Sequence, residues 1–175
     1  MIARAKLLGA SQGELRALLE RGHPIDPARL DDSVYRGISL GLPAWVERLS
    51  WKKFAKAFHR DPATGALRGW NVRIEQDGLD RPWRERTRRG RTWTFGHFAV
   101  VHGGEHLVLD YGAGRARIDP MRAVRDPLVA LEAGSVELLL GRSDLAIGRA
   151  RLPTPSYFVL ERAGALAPAD VAATA

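Results

Sequence analysis

The chain is expected to fold as a mainly β protein, an antiparallel barrel or strongly curled sheet of about eight strands with a little helix at its N-terminus. Three observations lead there. Short apolar runs recur through the last two-thirds of the sequence, each bounded by Gly or Pro. Leu67 to Gln76 alternates strictly, with Trp70, Val72 and Ile74 on one side and Asn71, Arg73 and Glu75 on the other. The single strong helix signal lies at the start of the chain.

That helix begins at Ser11-Gln-Gly-Glu14, the pattern in which a serine hydroxyl accepts from the N3 amide and the glutamate reaches back. Leu15, Leu18 and Leu19 give it an apolar stripe, and Gly22 is the expected stop. Pro24 and Pro27 prevent continuation. After a linker from Leu30, the first strand is expected over Val34–Leu40. A second helical segment is expected near 43–58. Pro43 suits a first turn, Trp45, Val46 and Leu49 share a face, and Trp51, Phe54, Ala55 and Phe58 keep the period, with Lys52, Lys53 and Lys56 facing away. Asp61-Pro-Ala-Thr-Gly65 is a turn.

Further strands are expected at Thr94–Val101, His106–Tyr111, Arg115–Ile118, Val136–Leu140, Asp144–Ile147 and Ser156–Arg162. Asp126, before Pro127, reads as a turn residue paired with Arg122 or Arg125. Pro127, Pro153 and Pro155 are expected at strand starts or edges, where a missing amide costs no ladder bond. The organisation is one structural domain: residues 1–32 as helix and linker, 33–162 as barrel, and the small-residue stretch 163–175 as a flexible tail.

The 175 residues contain no cysteine, which removes thiolate metal sites and cysteine nucleophiles and is compatible with a reducing, cytoplasmic setting. No stretch reads as a signal sequence or membrane span. The net charge of +7 is concentrated in Arg81–Arg91, within which Arg88-Arg-Gly-Arg91 has Trp83 and Trp93 on its flanks and Gly90 at a hairpin tip. Arg88, Arg89 and Arg91 are therefore the candidate anion-binding residues, toward phosphate, nucleic acid or an acidic partner.

No Walker loop, dinucleotide fingerprint, nucleophile elbow or zinc-protease helix occurs, and no cofactor is expected. His97, His102 and His106 with Glu105 have the right atoms for a metal but not the spacing of a metal site. Asp110 and Tyr111 are expected on opposite faces, so only one of them can face the interior.

The segments Tyr35-Arg-Gly37, Trp51-Lys-Lys-Phe54, Leu139-Leu-Gly141 and Pro155–Arg162 resemble the bacterial GXWXG-type proteins of unknown function and, more loosely, the calycin barrels that include lipocalins. Tyr35 stands where the GXWXG pattern has tryptophan. The resemblance implies a small antiparallel barrel closed at one end by helices, and no activity.

Function is thereby directed to the barrel interior. The first reading is a binder of a small, largely apolar or carboxylate-bearing molecule, with Tyr35, Arg36, Trp70, His97, Tyr111, Arg125 and Tyr157 at the ligand. Phe95, Phe98 and Phe158 are further bulky residues offered by the strands. A binding protein is preferred to an enzyme. The alternatives are a cavity enzyme of isomerase or cyclase type with His97 or an aspartate as base, and an interaction module gripping its partner through the 81–91 hairpin.

Overall fold

The computed structural model describes residues 4–41, 52–104, 106–113, 120–148, 150–168 and 171. Two short helices, α1 (Arg4–Leu8) and α2 (Gln12–Glu20), precede the strands. These are β1 (Ser33–Leu40), β2 (Lys53–Arg60), β3 (Leu67–Arg73), β4 (Thr87–Arg88), β5 (Arg91–Thr92), β6 (Thr94–Gly103), β7 (His106–Asp110), β8 (Val124–Ala130), β9 (Leu138–Ile147) and β10 (Ala150–Ala165). Eight of them close into an antiparallel barrel in the order β1-β10-β9-β8-β7-β6-β3-β2. The chain therefore meanders once around the cylinder, and closure leaves no barrel edge unpaired. β4 and β5 form a separate hairpin set into the β3–β6 connection. None of the described helices is long and apolar enough to cross a membrane.

The capping box is present at Ser11 and Glu14, and its hydrogen bonds hold the exposed Glu14 carboxyl below its usual range. Gly22 follows the C-cap Arg21, but for a reason other than the expected left-handed stop. A Cβ there would collide with the Val129 side chain, so glycine lets the chain press against β8.

Three expectations are corrected. First, residues 53–60 are strand, not helix; the rest of that segment, 43–51, lies outside the described residues. Second, Asp126 and Pro127 lie inside β8 and not in a turn; Pro127 occurs where the β8–β9 ladder is interrupted between Arg125↔Asp144 and Leu128↔Gly141. Third, Pro153 and Pro155 sit within β10 at its irregular stretch between Pro153 and Tyr157, which absorbs their missing donors without a strand end. In addition, the two short strands expected over 136–147 form one, β9. β10 runs to Ala165, beyond the expected boundary at 162, and the buried Leu166 donates its amide to Asp32 O. The strand expected at 115–118 lies outside the described residues.

The inward faces bury one continuous core. Tyr35, Phe58, Leu67, Leu107, Leu128, Leu139 and Leu160 fill one end, and Leu30 packs against them. The outward faces are covered twice. α1 and α2 bring Leu7, Leu15 and Leu19 onto Ile38, Leu40, Val129, Leu140 and Val159. Leu166 and Trp83 cover Ala55, Ala57, Trp70 and Val72.

Three inward glycines face phenylalanines across the ladder: Gly37 opposite Phe54, Gly69 opposite Phe98, and Gly141 opposite Phe158. A Cβ on any of them would lie inside the partner ring's contact distance. The glycines thus provide the space that lets large rings turn inward in a narrow cylinder.

Candidate functional site

The end of the barrel opposite Leu30 is polar. β2 alternates Phe54, Lys56 and Phe58 toward the interior, which carries Lys56 into the middle of the cylinder with its side chain 3% exposed. β8 does the same with Val124, Asp126 and Leu128, leaving the Asp126 side chain 2% exposed. Asn71 comes from β3, and Tyr111 from the helical turn that follows β7.

These four side chains are mutually bonded. Lys56 Nζ donates to Asn71 Oδ1 at 2.8 Å and to the Tyr111 hydroxyl at 2.5 Å. Tyr111 in turn donates to Asp126 Oδ2 at 3.1 Å, and Lys56 Nζ lies 3.6 Å from the same oxygen. The Asn71 amide is fixed by donating to Gly96 O at 3.0 Å. Gly96 takes φ +51°, and a Cβ there would strike the Asn71 amide at 2.8 Å. The resulting irregularity in the β3–β6 register lets both Phe95 and Phe98 face inward.

The ammonium group has little else that is polar around it. The rings of Phe54, Phe98, Tyr111 and Phe158 lie with centroids 5.1–5.4 Å from Nζ. Their faces attract a cation, but they replace water poorly. Burial accordingly lowers the Lys56 pKa to about 8 from 10.5, with the Asp126 charge opposing the shift. Burial likewise raises Asp126, against the pull of Lys56 and of the Tyr111 and Ser143 hydroxyls. Asp126 Oδ1 is buried and makes no hydrogen bond of good geometry among the described residues, the Ser143 hydroxyl acting on the carboxylate from the cavity wall. A buried carboxylate oxygen in that state is costly and marks a place where a donor belongs.

The cluster borders a cavity of about 280 Å³, lined also by Ser39, Phe95, Met121, Ser143 and Phe158. That is close to the lower end of the ~300–1,000 Å³ range of small-molecule sites. A larger groove of about 520 Å³ runs outside the barrel beside α2. Its charges are largely satisfied by each other, Arg16 with Glu20 at 2.8 Å and Arg142 with Asp144 at 2.6 Å. The interior site is the one in which desolvated charge meets open apolar volume.

Of the seven side chains expected at a ligand, Tyr111 alone belongs to this polar cluster. Tyr35 is inside but at the filled end, where its hydroxyl donates to Val136 O at 2.9 Å and burial pushes its pKa up to about 12. Trp70 and His97 are on the outer face of the barrel, Trp70 buried there beneath the covering layer, with ring centroids 6.2 Å apart. Arg36 points outward over Trp83, and the outward Arg125 pairs with Asp110 at 3.0 Å, not with Asp126. Tyr157 lines the cavity as well, although its ring also packs in the layer under the helices, with Arg142 over it. Asp110 and Tyr111 do diverge as expected, and Tyr111 is the inward one. Lys56, Asn71 and Asp126 were not in the expected set. Their signal is the alternation Phe54–Lys56–Phe58 and Val124–Asp126–Leu128, in which a charged residue holds an apolar residue's place.

Arg88, Arg89 and Arg91 do form a hairpin tip, with Arg89 and Gly90 at φ +53° and +74°. Arg73, Arg86 and Arg88 all lie over the Trp93 ring, at 4.8, 5.8 and 5.5 Å from its centroid. Among the described residues no group of three or more His, Asp or Glu side chains is placed to hold a metal ion. No family model, curated protein or solved structure matches this chain.

Proposed function

We propose that the protein binds a small, mostly apolar molecule in the open end of the barrel, with a neutral carbonyl or hydroxyl group at its polar head. The observation that carries the reading is the Lys56–Tyr111–Asp126–Asn71 cluster at the cavity wall, with one Asp126 oxygen lacking a hydrogen bond of good geometry. Phe54, Phe95, Met121 and Phe158 supply the apolar contact. Lys56 is the donor for a ligand oxygen, and Asp126 the acceptor for a ligand hydroxyl. A second carboxylate beside Asp126 would be repelled, which favours a neutral head over an anionic one. The likeness to calycin barrels is consistent with this role.

The test is native mass spectrometry of the protein as purified and after incubation with medium-chain alcohols, aldehydes and carboxylic acids. Expected is a one-to-one complex with the neutral compounds that disappears on denaturation and is weakened at least tenfold in Phe158→Ala. Failure of every neutral compound to bind would overturn the reading. Tighter binding of the carboxylates would overturn the choice of head group.

A further inference from the structure

The polar cluster contains the parts of a carbonyl-condensing site, and this inference rests on the cavity being a ligand site. We propose that Lys56 forms a Schiff base with an aldehyde or ketone bound in the cavity, with Tyr111 and Asp126 moving the protons.

Lys56 is one of only four lysines in the chain, and it lies where a lysine has least reason to be, inside a barrel among four aromatic rings. A purely structural ion pair would be satisfied by its own partners, yet Asp126 keeps an oxygen without a hydrogen bond of good geometry at the cavity wall. Desolvation supplies the amine in its free-base form at moderate pH, which is how a lysine becomes a nucleophile. Asn71 and Tyr111 hold the nitrogen from two sides and fix its position at the cavity.

The step balances within the site. The amine lone pair attacks the carbonyl carbon, and the carbonyl π electrons pass to its oxygen, which takes a proton from the Tyr111 hydroxyl. Asp126 accepts the proton that the new C–N bond makes acidic and, through its hydrogen bond to Tyr111, restores that hydroxyl. A second proton transfer expels the carbinolamine oxygen as water. Amine and carbonyl become imine and water, with no change of oxidation state.

The experiment incubates the wild-type protein with equimolar hexanal and cyanoborohydride, then locates the reduced adduct by peptide mapping. Expected is one hexyl group per chain, on Lys56 in preference to Lys6, Lys52, Lys53 and the N-terminus. The rate should rise with pH through about 8 and fall at least tenfold in Tyr111→Phe. Because the wild-type protein is mapped, the result does not depend on a Lys56 variant folding. Native mass spectrometry with hexan-1-ol runs in parallel. If the alcohol binds but hexanal labels the surface amines as readily as Lys56, the Schiff base is overturned and the binding site stands. If neither compound binds, both readings fail.

Discussion

Lys56 and Asp126 are the residues on which the molecule's energetics turn. Removing one member of a buried ion pair strands the other, so Lys56→Met should lower unfolding free energy by about 3–5 kcal/mol, while Lys56→Met with Asp126→Leu should recover most of that loss. A double-mutant cycle in urea measures both. The pH dependence carries an opposite sign for the two members of the pair. Lys56 has a folded pKa of about 8 against 10.5 in water, so between those values the unfolded chain binds more protons and stability rises with pH. Asp126 is raised, so the folded state binds more protons above the ordinary carboxylate range, and stability falls as pH climbs through that interval. The pair is thus least favourable where both groups must be charged. Compared with the double variant, the wild-type urea midpoint should climb from pH 8 to pH 10.

At the level of elements, the strands that ordinary patterning predicts are those with an alternating apolar row on one face, inner or outer; in β3 that row is Trp70 and Val72 on the outside, opposite the inward Asn71. β1, β3, β6 and β7 have such alternation and were legible, as was α2 from its capping box and leucine stripe. β2 was not, because its aromatic residues also fit a helical spacing and a lysine interrupts the inward row. β8 was not, because Asp126-Pro127 has the chemistry of a turn, and only a gap in the ladder makes room for it. These two strands carry Lys56 and Asp126, so the same buried charges that make the site also conceal it from periodicity arguments. The inward glycines give a sharper test of the packing. Gly37→Ala, Gly69→Ala and Gly141→Ala each push a methyl into a facing phenylalanine, and each should cost about 1–3 kcal/mol in thermal or urea unfolding. Phe54→Leu combined with Gly37→Ala should be less harmful than the sum of the two, since the shorter side chain vacates the space the methyl needs.

For the whole molecule, one turn of the chain around the cylinder makes each strand the neighbour of the next, apart from the pairing of β1 with β10 that closes the ring. That closure joins residues as far apart as Ser33 and Ala165, the most expensive contact in loop entropy. The amides of β1 and β10 should accordingly exchange with solvent only through global opening, with the same protection free energy as β8 in hydrogen exchange at increasing urea. The tip of the arginine-rich hairpin stands away from this cooperative unit. Its two strands bond to each other, its base is tied to β3 by Arg86 N–H to Arg73 O and Arg73 N–H to Trp93 O, and Arg86 and Arg88 pack on Trp93. The break between Arg89 and Gly90 is therefore where the chain is open to enlargement. A reporter domain spliced there, or new termini cut there, leaves all eight ladders of the barrel uninterrupted.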